Sequence, residues 1–182
     1  MRSTPHMTKS LALMIAFALG ALVVVNAQGA LDAKLQGQLK NLFPGATAFS
    51  PKQPDPPHYK VYNGDPKTPG TLMGFAFWTT ELTPLERGYD GPIKVLVGMN
   101  PRGVLTGIIV TEHHEPYGDF SIDTGGFQNQ FKNKDIRDAF KVGGDIDAIS
   151  RATISVTTVS RSVRNSSRRI ARALLTPPGN TQ

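Results

Sequence analysis

Two stretches of this chain hold side chains with chemical potential. The first is Asp147-Ala148-Ile149-Ser150-Arg151-Ala152-Thr153, a run of small, hydroxyl and charged residues that leads straight into an amphipathic pattern. Val156, Val159, Val163, Ile170 and Leu174 recur at spacings that keep one face of a helix apolar. Ser150 is the expected N-cap, because its side-chain oxygen can accept a backbone N–H of the first turn. That helix end also suits an anion, since unpaired N–H groups and the positive dipole end converge there. Arg161, Arg164, Arg168, Arg169 and Arg172 decorate the helix, and no acidic residue lies between Ser155 and Leu174. This chemistry is the seating of a phosphate-bearing ligand near Ser150 to Thr153. The plainer alternative is an ordinary hydroxyl cap followed by a solvated arginine face.

The second stretch is Glu112-His113-His114-Glu115-Pro116. Continued as a strand, it would put His113 and Glu115 on one face and His114 with Glu112 on the other. Imidazole and carboxylate suit several divalent metals, but adjacent histidines rarely share one ion, and the chain has no cysteine to complete a set. No metal ligand is assigned. A hydrogen-bonded turn held by Glu115 and Pro116 is an equally good reading. Asp123-Thr124-Gly125-Gly126 is either a backbone nest for an anion or a turn.

These residues need a scaffold, and the composition allows one. The chain has 182 residues, 39% of them hydrophobic and 19% charged, which suits one folded domain. The absence of cysteine excludes disulfides, iron–sulfur clusters and cysteine nucleophiles. Arg2 and Lys9 precede an apolar run from Leu11 to Val25 and a Val25-Asn26-Ala27 cleavage pattern, so residues 1–27 read as a signal peptide directing export to a periplasm. The run is shorter than the ~20 residues a spanning helix needs, and an uncleaved anchor is the alternative. Losing 1–27 removes Arg2 and Lys9 and no acidic residue, so the net charge falls from +6 to +4. That excess suits an acidic partner, an anionic cofactor or peripheral contact with a membrane. Nucleic acid is not an expected partner, because no binding motif is present.

After the signal, Ala30 to Phe43 reads as a helix with Leu31, Leu35, Leu39 and Leu42 on one side, stopped by Pro44-Gly45. Ser50 to Pro57, with four prolines, reads as a connector. Strands are expected at His58–Tyr62, Thr71–Thr80, Ile93–Met99 and Val104–Thr111, the last two forming a hairpin about Asn100-Pro101-Arg102-Gly103. Phe75 and Phe77 should face the core and Trp78 the opposite side. Short helices are expected at Phe127–Lys132 and Asp135–Phe140. The layout is α+β, a mainly antiparallel sheet flanked by helices. The expected division is 28–56 for the N-terminal helix and connector, 57–175 for the main domain and 176–182 for a loose tail.

Taken together, Leu42-Phe43-Pro44-Gly45-Ala46, Gly88-Tyr89-Asp90-Gly91-Pro92, Gly107, Glu112-His113-His114-Glu115-Pro116 and Asp147-x-x-Ser150-x-Ala152-Thr153 appear in an order that resembles a known family. It is the FMN-binding domain shared by flavin subunits of sodium-pumping and Rnf-type redox complexes, and found at the periplasmic N-terminus of the nitrous oxide reductase regulator. The resemblance implies that a flavin transferase links the FMN phosphate to Thr153 as a phosphoester, recognising Asp147, Ser150 and Ala152 as flanks. It implies a cofactor-contacting set of Asp147, Ser150, Arg151, Ala152, Thr153 and Ile154, joined by His113, His114 and Glu115; Gly125 and Gly126 would join it where the Asp123-Thr124-Gly125-Gly126 stretch acts as a nest rather than a plain turn. One of the histidines would donate to the isoalloxazine and tune its potential. The family carries glycine or another small residue at the position of Arg151. An arginine there costs energy if φ is positive, though its guanidinium could pair with the phosphate. The implied function is an exported electron carrier with a periplasmic or membrane redox partner, rather than a self-contained catalyst. The competing readings are an assembly or regulatory accessory of a periplasmic metalloenzyme, and a flavin-dependent reductase.

Overall fold

Leucines spaced about a helical turn apart begin the described chain, and they fold as expected. A computed structural model describes residues 31–175; residues 1–27, read above as a signal peptide, and the tail expected from Thr176 lie outside the described residues. Helix α1 spans Ala33–Leu42. Its Leu39 and Leu42, followed by Phe43, are buried against Tyr59, Val61, Ala76 and Leu96, with Leu31 and Leu35 partly buried beside them.

The strands are β1 (Ala48–Phe49), β2 (Gln53–Pro54), β3 (Pro57–Tyr62), β4 (Leu72–Trp78), β5 (Lys94–Met99) and β6 (Leu105–Glu112). They form an antiparallel sheet in the order β1-β3-β4-β5-β6, with β2 paired to β3 off that path. Alternation along the strands divides the apolar residues between two faces. Phe75, Phe77, Val95, Val97 and Met99 enter the larger core, shared with Val156, Val159, Val163 and Ile170 of the last helix. Ala76, Leu96 and Trp78 turn to the opposite face, under α1. The sheet is therefore covered on both sides, as an α+β fold requires. The β5–β6 turn closes on Asn100, whose side-chain oxygen accepts N–H bonds from Arg102 (2.9 Å) and Val104 (3.0 Å).

Several local expectations are corrected. The proline-rich connector contains β2, which pairs with the start of β3 through Gln53 and His58. Thr79–Leu82 leaves β4 as a short helix, α2. The helix expected at Phe127–Lys132 is α3, Gly125–Asn129, capped by Thr124, whose hydroxyl accepts from the Phe127 N–H. Asp135–Phe140 is not helical. Asp138 accepts from the Asp135 N–H at 2.9 Å and Asp135 from the Arg137 N–H at 2.9 Å, the reciprocal contacts of a capped turn. The turn goes no further, since Phe140 has φ +52°, outside the right-handed helical region.

Helix α4 runs Thr153–Leu174 and buries Val156, Val159, Val163 and Ile170 completely. Its serines are buried too, and Ser160 and Ser162 return their hydroxyls to the carbonyls of Val156 and Val159. The arginines differ from a solvated face. Arg161 pairs with Glu86 at 2.6 Å, while Arg168 donates to the carbonyls of Ile136 (2.8 Å) and Asp138 (2.9 Å). Arg169 donates to the Leu82 carbonyl at 3.0 Å and Arg164 to that of Ala139 at 3.4 Å. Four of the five thus tie loops or the end of α2 to the helix. Among the described residues, no helix is long and apolar enough to cross a membrane.

Candidate functional site

The start of α4 is set by backbone conformation rather than by a hydroxyl cap. Arg151 has φ +66°, the left-handed region that an L side chain disfavours. The chain reverses there, with the Ala152 N–H donating to the Ile149 carbonyl at 3.1 Å. Ala152 is the N-cap and supplies no side-chain bond, so the expected cap, Ser150, is displaced to an exposed turn upstream. Thr153 becomes the first helical residue, with its side chain exposed.

The turn after β6 faces this helix start. Because β6 ends at Glu112, strand alternation does not continue, and His113 and Glu115 are arranged by turn contacts instead. The Glu115 N–H donates to His113 Nδ1 at 3.0 Å, and His113 Nε2 lies 3.0 Å from Asp123 Oδ2. A backbone N–H can only donate, so Nδ1 is the acceptor and the ring proton sits on Nε2, facing Asp123. Both ring nitrogens are committed within the protein, which leaves none for a flavin. The ring rests on Gly118, where any Cβ would overlap it. His114 is exposed.

Glu115 points inward. It is 6% exposed, and its carboxylate accepts from the N–H groups of Tyr89 (3.1 Å) and Asp90 (2.9 Å) and from the Ser155 hydroxyl of α4. Burial pushes its carboxyl up, but those donors pull harder, and the group is held below the ordinary carboxylate range. Gly88 is required beside it, since a Cβ would overlap the carboxylate. Three segments distant in sequence, the 88–91 loop, the turn after β6 and the start of α4, are thereby joined at one side chain.

In front of this junction lies an open cavity of about 600 Å³, within the ~300–1,000 Å³ range of small-molecule sites. Tyr89 forms one wall, Pro116 and Tyr117 another, and Arg151 through Ser155 the third. Tyr89, Tyr117 and Ile154 are 71%, 48% and 53% exposed, so the walls offer aromatic and aliphatic surface to water. A hydroxyl (Thr153) and a guanidinium (Arg151) stand at the same place. A partly aromatic cleft with an alcohol and a cation in its lining fits a planar ring carrying a phosphate.

Of the residues expected from sequence, Arg151, Ala152, Thr153 and Ile154 line the cavity. Glu115 lies behind the wall, and His113 is held against Asp123. Asp147, Ser150, His114, Gly125 and Gly126 are not among the lining residues. Tyr89, Pro116, Tyr117 and Ser155 line it without having been expected. Tyr89 and Pro116 lie inside recognised motifs, whereas Tyr117 and Ser155 carry no sequence signal.

Similarity to known proteins falls on these same segments. Residues 88–167 match the model of the FMN-binding domain family. The chain is 34% identical over 119 residues to a subunit of the ion-translocating oxidoreductase complex of Haemophilus influenzae, covering 60% of this chain and 54% of that one. It is 30% identical over 115 residues to a subunit of the Na(+)-translocating ferredoxin:NAD(+) oxidoreductase complex of Acetobacterium woodii, covering 59% and 53%. It is 25% identical over 146 residues to the regulatory protein NosR of Stutzerimonas stutzeri, covering 75% of this chain and 19% of that protein. The chain thus spans about half the length of these two oxidoreductase-complex relatives, and a fifth of the regulator.

Proposed function

We propose, since residues 88–167 of the chain belong to the FMN-binding domain family, that the protein is an exported electron carrier with FMN joined through its phosphate to Thr153. The observation that carries this reading is the Thr153 side chain, exposed at the first residue of α4 and set in the wall of the cavity. Arg151 would stand beside the phosphate, and Tyr89, Tyr117 and Ile154 would contact the ring. When bound, the flavin supplies exchange between one- and two-electron steps; the protein binds, orients and shields it.

Three further parts belong to the same proposal. A flavin transferase attaches the cofactor, recognising Asp147, Ser150 and Ala152 along with Thr153. The flanks Asp147 and Ser150 lie outside the cleft lining, which suits reading by another protein better than contact with a ligand. Residues 1–27 direct export to the periplasm, 28–56 and 57–175 form the folded part, and 176–182 is a tail. The redox partner is a membrane or periplasmic protein, a reading that takes its support from relatives named as subunits of ion-translocating complexes.

Intact mass and visible spectra of protein exported from a host with flavin transferase test the proposal. The parent is expected to be yellow, to bleach on reduction, and to carry FMN in the Thr153 peptide. T153V is expected to lose the mass increment while remaining folded. A colourless parent that takes up no added FMN would end the flavin reading, and an unmodified Thr153 peptide in yellow protein would end the covalent one.

A further inference from the structure

We infer that Glu115 is a positioning residue for the flavin: its carboxylate, held behind the cavity wall by neutral donors, latches the Tyr89 loop onto α4 and keeps the bound flavin's reduction potential low. This rests on the FMN reading above and adds to it a residue that lies outside the cleft.

The geometry makes Glu115 the common support of all three walls. Pro116 is its neighbour in the chain, Tyr89 is held through its N–H at 3.1 Å, and Ser155 is held through its hydroxyl. The Asp90 N–H, at 2.9 Å, completes the set. Within the remaining loop, Thr158 of α4 donates to the Arg87 carbonyl at 2.8 Å, so the 87–90 segment is fastened to the helix at two points.

The charge is the unusual part. A buried carboxylate is ordinarily paired with a cation, yet among the described residues Glu115 forms no ion pair with lysine or arginine. Its oxygens are satisfied by two amides and one hydroxyl, which stabilise the anion without cancelling its charge. The negative charge therefore persists one hydroxyl away from the cavity, where the low dielectric of the wall leaves it poorly screened. Reduction places electrons on the ring, and a fixed anion close by opposes that change, so the oxidised flavin is favoured.

The experiment has two arms. In flavin-free protein, amide hydrogen exchange of Tyr89 and Asp90 is compared between parent and E115Q; the latch predicts exchange at least about tenfold faster in the variant. In flavin-loaded protein, the midpoint potential is titrated with dithionite at one fixed pH, dithionite supplying the electrons and water the protons. E115Q removes the charge and is expected to move the potential upward. S155A keeps the charge but removes the hydroxyl dipole that partly offsets its field on the cavity side, and is expected to move the potential downward. If E115Q does not fold, the S155A shift carries the test. A potential that stays put in either folded variant, or moves the other way, overturns the electrostatic role, and unchanged amide exchange overturns the latch. A parent that binds no flavin removes the FMN reading itself, an outcome visible before any variant is made.

Discussion

Arg151 is the residue at which local cost and site geometry meet. At φ +66° it occupies a conformation that a non-glycine residue adopts at a cost of about 1–2 kcal/mol, directly before the helix whose first residue is Thr153. Backbone strain of this kind tends to survive at functional sites. R151A and R151G both remove the guanidinium, but only glycine relieves the φ. Urea unfolding should therefore show R151G more stable than R151A by about 1 kcal/mol; equal stabilities would mean that the turn carries no strain. The sequence points to this position as a departure from the family pattern, yet φ itself is a property of the folded turn. Ser150 shows the converse. It has the composition of a cap, but the reversal at Arg151 starts the helix beyond its reach.

At the scale of elements, α4 is held by more than its apolar stripe. Val156, Val159, Val163 and Ile170 are legible from spacing because periodicity reports burial directly. The use of the arginines is not legible, since their partners are mostly loop carbonyls, which no side-chain pattern announces. Arg168 bonds two of them, Ile136 and Asp138, in the segment that failed to become a helix. Hydrogen bonds from a charged donor are worth ~1.5–3 kcal/mol. R168A should cost about that amount in chemical denaturation and speed amide exchange across residues 136–139, with the sheet amides unaffected. A loss below about 0.5 kcal/mol, as for ordinary surface substitutions, would show that the arginine face is merely solvated.

For the molecule as a whole, the buried and loop-binding titratable groups set its response to acid. His58 is buried with Nδ1 2.7 Å from the Pro56 carbonyl and Nε2 without a partner, and burial keeps its pKa below the usual 6.5. Its neutral form is thus favoured by folding, and stability declines as pH falls below 6.5. Asp145 acts lower. Burial pushes its carboxyl up, but the N–H groups of Lys141 and Phe140 and the Lys134 ammonium bring it down to about 2. Its contribution is complete above 3.8 and is lost as pH drops from there to about 2. D145N should lower the urea midpoint at neutral pH and flatten its fall over that acid window, while leaving the decline below 6.5 as in the parent. A D145N profile parallel to the parent's in the acid window would remove Asp145 from this role.

Side-chain periodicity and turn chemistry, both local properties, were enough to determine the α+β class, the β5–β6 hairpin and the core face of α4, and motif order pointed to the FMN-binding domain family whose model residues 88–167 match. Motif order singled out Thr153 as the proposed attachment point. What only tertiary structure decided was how distant segments meet. The placing of Glu115 behind the wall rather than in it, the commitment of both His113 nitrogens, and the entry of Tyr89, Tyr117 and Ser155 into the cleft all depend on contacts between segments distant in sequence. Such contacts arise when the sheet and α4 pack against each other, and hydrophobic burial, being non-directional, leaves no trace in the sequence of which loops it will bring together.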